Sequence, residues 1–413
     1  MMRTAVLSPL AVLIPLLFTA LAHYFSTLGT ASEPEALGIV QSLWGGVQDI
    51  TTAGLTYDHV MRAASRSYFI RPDLMFPQES PHWKVLETGN DYAYIQLVRT
   101  NKAVFDQIMA KVDPEFTLWR IGFYPDGSPR TGPQHMLDSR GVIALTLSYL
   151  GSTTQAKMLE LVYGVGHSIL SRDIRRGMEE LVKALRLLPE TTPTIPNTKS
   201  RKLFAEAIEG EHGPCPYPGV KVWGFLDGLR LEMKEPWDQD EQTLFYNGWI
   251  GIVGIVNTLL FTPDGKIAWT NLNAPGSLHD YSISNDLFDI LAGMGEEFAV
   301  AGDSAFMSDV TNKFIASRDG YKPPQGSINN ADPAAQKLKF RGWISGVRQS
   351  VEHGMRSFQA MYSRIKIPLS QIVSERRQIL EICVRLHNLN AHYLANHNQV
   401  TTLYLEHVLR AGA

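Results

Sequence analysis

A chain of 413 residues is long enough for two or three domains of about 150 residues each. Hydrophobic content of 44% and charged content of 19% describe a globular protein, and a net charge of −3 gives no global pull towards nucleic acid, so any such binding must use local patches. The two cysteines, Cys215 and Cys383, stand far apart in sequence, which excludes a disulfide framework and a zinc set and fits a reducing compartment.

The N-terminus pulls the other way. Residues 5–22 carry no charge, follow Arg3 and end in Ala20-Leu21-Ala22, which resembles a cleavage site. That is the pattern of a secretory leader or an anchor; a buried helix and an eroded leader are the alternatives. Pro9 and Pro15 argue against a straight spanning helix. No other stretch is long and apolar enough to span a bilayer. The organisation expected is an apolar segment over 1–35, a mainly helical region over 36–188, a linker over 189–220, a strand-rich α/β domain over 221–396 and a tail over 397–413.

Residues 36–125 are mixed and give no functional reading. Residues 141–187 suggest a helix-turn-helix. Helices are expected near 140–150 and 154–163, a turn over Tyr163-Gly164-Val165-Gly166-His167, and a third helix from Ser168. Ile174, Met178, Leu181 and Leu185 form its apolar face. Ser171, Arg172, Arg175 and Arg176 face away from it, where such a helix reaches bases and phosphates. Three-helix bundles that bind nothing share this pattern. The run PETTPTIPNTKS at 189–200 breaks periodicity and reads as the linker.

From 221 the pattern turns to strands. VWGFLD (222–227) is a short buried strand, and 249–262 and 266–272 are two more joined by Asp264-Gly265, a hairpin signal. Ser277 is placed to cap a helix near 278–291. EEFAVAGD (296–303) is a fourth strand. A loop rich in Gly, Pro and Asn (319–333) precedes a long helix near 343–364 and a last helix near 371–396. The order strand, strand, strand, helix, strand, helix is that of an α/β, RNase H-like mixed sheet.

Three acids stand out in this region. Asp227 and Asp303 close the first and fourth strands, which are neighbours in such a fold, and Glu352 lies on the long helix. The buried stripe of that helix is Val347, Val351, Met355, Phe358 and Tyr362, and Glu352 lies about 100° from Val351, at its border. Hard oxygen ligands of this kind suit Mg²⁺ or Mn²⁺, and two such ions cut phosphodiesters. Three ordinary surface acids would show the same spacing. Between 335 and 366, however, seven bases (Lys337, Lys339, Arg341, Arg348, Arg356, Arg364 and Lys366) meet one acid, Glu352. A local net charge of +6 calls for a polyanionic partner, and Arg348 and Arg356 flank Glu352 at four residues on either side. His279 and Asp280 form a second cluster. Asp280 suits a helix start, so the pair reads first as capping or supporting groups and second as direct metal ligands.

Taken together, FLDGLR, FYNGW with TPDG, NAPGSLHD, AGDSAF, VRQSVEHGMRSFQAMYSRIKIPL and ICVRLHNLN resemble the motifs of PIF/Harbinger-type DDE transposases, fungal members especially, over about residues 134–396. The 48 residues between Asp303 and Glu352 fit that family's spacing; His353 stands where related fungal sequences often carry Trp. The resemblance implies that Asp227, Asp303 and Glu352 hold the catalytic Mg²⁺ or Mn²⁺, and that the substrate is double-stranded DNA, cut at terminal inverted repeats and joined to a short AT-rich target. It also implies DNA contacts from the 141–187 segment, structural roles for His387 and Asn388, assembly as a homo-oligomer on DNA, a Myb-like helper protein in some members, and work in the nucleus. Two other readings stand beside it: a domesticated, non-catalytic DNA-binding protein derived from such an enzyme, and a secreted or anchored hydrolase favoured only by residues 5–22.

Overall fold

A computed structural model describes residues 73–117, 136–154, 156–295, 297–303, 306, 314–315, 332–394 and 398–412. The apolar segment 1–35, much of 36–125 and most of the loop at 319–333 lie outside the described residues. Residues 71–413 form one compact unit. Among the described residues no helix is long and apolar enough to cross a membrane.

The helical part opens with α1 (Pro81–Thr88), α2 (Asp91–Val98) and α3 (Lys102–Met109). Then come α4 (Ser139–Leu150), α5 (Ala156–Tyr163) and α6 (His167–Arg186). Side chains define the starts: Asn90, Asn101 and Asp138 each accept from a backbone N–H three residues on, satisfying a donor that the first turn leaves free. Helix α4 is buried almost all round. Gly177 of α6 lies so close to it that a Cβ there would meet Thr146 Oγ1 at 2.0 Å. The expected turn between α5 and α6 is present, with Gly164 at φ +66°, a conformation that glycine adopts without strain. Ser171, Arg172, Arg175 and Arg176 lie on the exposed side of α6, as expected.

The segment expected as a linker folds. The Pro/Thr run and residues 213–220 are irregular, with a helix between them. Asn197 caps α7 (Thr198–His212), whose Phe204, Ala205, Ala207 and Ile208 are buried. The sheet follows: β1 (Lys221–Glu232), α8 (Gln239–Phe245), β2 (Tyr246–Asn247), β3 (Ile252–Phe261), β4 (Ile267–Pro275), α9 (Asn285–Ala292), β5 (Phe298–Ala301) and β6 (Phe314–Ile315). Three helices close the chain: α10 (Pro333–Met361), α11 (Val373–Tyr393) and α12 (Gln399–Gly412). Helix α12 replaces the expected tail. Its Val400 and Tyr404 are fully buried, and the Tyr404 hydroxyl bonds His212 Nε2 at 2.8 Å and Ser350 Oγ at 2.7 Å, joining α12 to α7 and α10.

Strand order is β2-β3-β1-β5-β6, with β4 also on β3. β1, β3 and β4 pair antiparallel; β5 joins β1 in parallel and β6 joins β5 in parallel. The Asp264-Gly265 hairpin is present, with Gly265 at φ +76°. Strand β1 runs five residues past its expected end at Asp227, because Leu229 and Leu231 keep the buried alternation going. The helix expected from 278 starts at Asn285, after a 3₁₀ turn over Ser282–Ser284, so Ser277 is not its cap. Helix α10 starts ten residues earlier than expected because Asp332 caps it, accepting from Ala335 N at 3.0 Å, with Pro333 at its first position.

Two apolar clusters cover the two faces of the sheet. Phe225, Leu229 and Leu231 of β1 meet Ile344, Val347, Val351 and Phe358 of α10 in the larger one. Trp223 and Leu226 meet Leu287, Phe288 and Leu291 of α9 in the other. An eight-residue helix such as α9 is marginal alone, and burial at about 1.5–3 kcal/mol per large side chain holds it in place. Asn388 of α11 acts as a surrogate strand: its Oδ1 accepts from Ile267 N at 2.7 Å and its Nδ2 donates to Ile267 O at 2.9 Å. His387 Nε2 bonds the Gly265 carbonyl at 2.9 Å, and burial lowers its pKa to about 4, so the ring is neutral. Both residues are thus structural, as the resemblance implied.

Candidate active site

The parallel register of β1 and β5 positions the first two acids. The last paired residues are Phe225 and Ala301, and Asp227 and Asp303 each lie two residues beyond them. Asp227 shares strand parity with Phe225 and Leu229, so its side chain faces α10. Arg348 of α10 meets the pair there, with Nη2 at 3.7 Å from Asp303 Oδ1. Burial pushes the Asp227 carboxyl up to about 6. The adjacent Gly228 N–H, 2.8 Å from Oδ1, and the Arg348 charge oppose that shift, while the charges of Asp303 and Asp280 add to it.

Asp280 reaches the same place from behind. A Cβ on Gly228 would meet its Oδ1 at 3.1 Å. Gly228 and Arg230 share the opposite parity from Asp227, and Arg230 Nη2 donates to Asp280 Oδ2 at 2.8 Å. Asp280 therefore sits on the far side of β1, buried, with burial raising its pKa, and its Oδ1 is buried with no hydrogen-bond partner. It lies in the turn before α9 rather than inside a helix start. His279 is exposed.

Glu352 is placed differently. It stands one turn past Arg348, its side chain is 55% exposed, and its ion-pair partner is Arg356 at 3.7 Å. Among the described residues, no three His, Cys, Asp or Glu side chains are placed to hold one ion. Asp227 and Asp303 nonetheless have the donor chemistry of a hard-cation site. They are carboxylates close enough to repel each other, with the Arg348 guanidinium offsetting them.

The expected phosphate contacts divide. Arg356 and Lys366 are exposed, whereas Arg364 stacks on Tyr149 at 4.1 Å. On α6, Arg172 pairs with buried Asp173 at 3.0 Å and Arg176 with buried Glu180 at 3.8 Å, so part of that basic stripe is neutralised within the chain. Sequence reading missed Arg230 as the partner of Asp280. The only signal available was its position two residues past Gly228 on the same strand face.

Comparison with curated proteins and with solved structures found no significant match. Residues 226–388, a span holding Asp227, Asp280, Asp303 and Glu352, match the model of the DDE superfamily endonuclease family, which supports a place in the DDE transposase superfamily for this part of the chain.

Proposed function

We propose that this protein is a metal-dependent DNA endonuclease of the PIF/Harbinger transposase type with an RNase H-like catalytic domain. In this reading it cuts at transposon ends and transfers the 3′-hydroxyl strand to AT-rich target DNA in the nucleus, as a homo-oligomer and with a Myb-like helper where one is needed. The family match over 226–388 supports the reading, as does a sheet with three antiparallel strands followed by two parallel ones. The single observation that carries it is the pairing of Asp227 with Asp303 on one face of the β1–β5 edge, beneath Arg348.

In this reading Asp227 and Asp303 hold Mg²⁺ or Mn²⁺, and Glu352 turns in from α10 to complete the set. The ions supply activation of water or a 3′-hydroxyl and stabilisation of the leaving oxygen. The chain's own residues set the stage. The Gly228 N–H fixes the Asp227 carboxylate, Asp280 and Arg230 brace β1 from behind, and Arg348 offers its guanidinium to a phosphate once cations neutralise the aspartates. The helix-turn-helix over 141–187 contributes DNA contacts, with Arg175 the best placed of its bases. It is exposed and has no carboxylate partner among the described residues.

The exposure of Glu352 and its pairing with Arg356 favour a second reading, a DNA-binding protein that has lost catalysis. Incubating supercoiled plasmid with the full chain and Mn²⁺ separates the two. Nicking that disappears in Asp227→Ala, Asp303→Ala and Glu352→Ala supports the enzyme. Salt-sensitive DNA binding without nicking supports the binder.

A further inference from the structure

A cleft of about 480 Å³ lies where the end of α2, the C-terminal end of α10 and the start of α12 meet. Arg99, His353, Arg356, Asn398, Gln399 and Thr402 give it its polar wall, and among the described residues no acid lines it. Outside the lining, the Glu352 carboxylate pairs with Arg356 at 3.7 Å.

The wall is built rather than incidental. Arg99 ends α2 at φ +63°, a left-handed conformation that side-chain-bearing residues seldom adopt. Asn390 Nδ2 donates to its carbonyl at 3.1 Å, and its own Nη2 donates to Gly151 O at 2.8 Å. The guanidinium lies so close over Gly151 that a Cβ there would meet Arg99 Nε at 2.5 Å. His353 Nδ1 bonds Gln399 Oε1 at 3.0 Å across the cleft, so the residue that departs from the family pattern ties α10 to α12.

One helix, α10, links the cleft to the candidate active site. Arg348, Glu352 and Arg356 form one stripe of α10, with Arg348 at the aspartates and Arg356 at the cleft. Eight residues of helix span roughly 12 Å, or about three to four nucleotides at ~3.4 Å of rise per strand. We propose that the cleft seats a backbone phosphate of the DNA strand about three to four nucleotides from the scissile bond, held by Arg99, Arg356 and His353. The assignment rests on the endonuclease reading above. The same chemistry would also accept free phosphate, so the test separates the two sources.

The test uses the full chain, a labelled duplex and a series of salt concentrations. The variants are Thr402→Glu, which puts an acid on the exposed rim, and the double change Arg99→Gln with Arg356→Gln. Thr402→Glu should melt at the wild-type temperature in phosphate-free buffer. Both variants should bind the duplex about tenfold more weakly, and the slope of log affinity against log salt should fall by about 0.9, the loss of one phosphate contact. Inorganic phosphate should raise the melting temperature of the wild type and leave that of Thr402→Glu unmoved. Equal duplex affinity and slope in wild type and variants would overturn the proposal. So would stabilisation by phosphate with duplex binding unaffected, which would mark a free-anion site. A wild type that binds no duplex would instead refute the endonuclease reading, and the backbone assignment with it.

Discussion

Replacing Asp227 by Asn should make the metal-free protein more stable at neutral pH while abolishing any metal-dependent activity. Burial, aided by the charges of Asp303 and Asp280, moves the carboxyl from 3.8 to about 6. Between those values the folded chain holds this proton more tightly than the unfolded chain. Wild-type stability therefore falls as pH rises through the window, and the full cost is present above about pH 6. A shift of about two units corresponds to about 3 kcal/mol at most. Asn carries no charge and keeps an oxygen to accept from Gly228 N, so it escapes the cost; Arg348 loses part of its compensation, which trims the gain. In urea titrations with EDTA the variant should match the wild type near pH 4 and exceed it by about 2 kcal/mol at pH 7.5. Buried His82 and His387, both held near 4, weaken both proteins as pH falls below about 6.5, and that common effect cancels in the difference. Mn²⁺ should reverse the order, since a ligand at a hundredfold its Kd adds about 2.7 kcal/mol to the protein that binds it. A variant less stable than wild type at pH 7.5 in EDTA, or a difference that ignores pH, would refute the electrostatic reasoning.

Three further outcomes test the fold. Asn388→Leu strands the buried N–H and C=O of Ile267 and should cost about 2–4 kcal/mol in urea unfolding. Gly177→Ala drives a methyl into Thr146 and should cost about 1–3 kcal/mol, with near-UV dichroism reporting the displaced α4–α6 contact. Tyr404→Phe removes a hydroxyl shared with His212 and Ser350 and should cost about 1–2 kcal/mol; hydrogen exchange should quicken in α7 and α12 together if α12 clamps α7 to α10.

Local signals in the sequence were read well. Asp264-Gly265 needs a left-handed glycine and marked its hairpin, and the stripe Val347, Val351, Met355, Phe358 and Tyr362 is buried to the last residue or nearly so. Signals masked by neighbours failed. The Pro/Thr run before Asn197 hid α7, although Phe204, Ala207 and Ile208 recur at helical spacing behind it. Asp332-Pro333 is a cap and a first helical residue, yet the loop composition before it masks the true start of α10. Pairings across long sequence separations left little local trace. Arg230 with Asp280, Tyr404 with His212, and Arg99 in one cleft with His353 all depend on the assembled sheet and helices. The strand order of an RNase H-like sheet predicted that Asp227 and Asp303 would meet; it could not show that Glu352 points towards Arg356.

The decisive measurement is a calorimetric Mn²⁺ titration of the full chain beside Asp303→Ala and Glu352→Ala. Saturable binding by the wild type, lost in Asp303→Ala and weakened in Glu352→Ala, is the expected result and would establish a cation site built on the β1–β5 edge with α10. Equal binding by all three proteins, or none by a folded wild type, would contradict it.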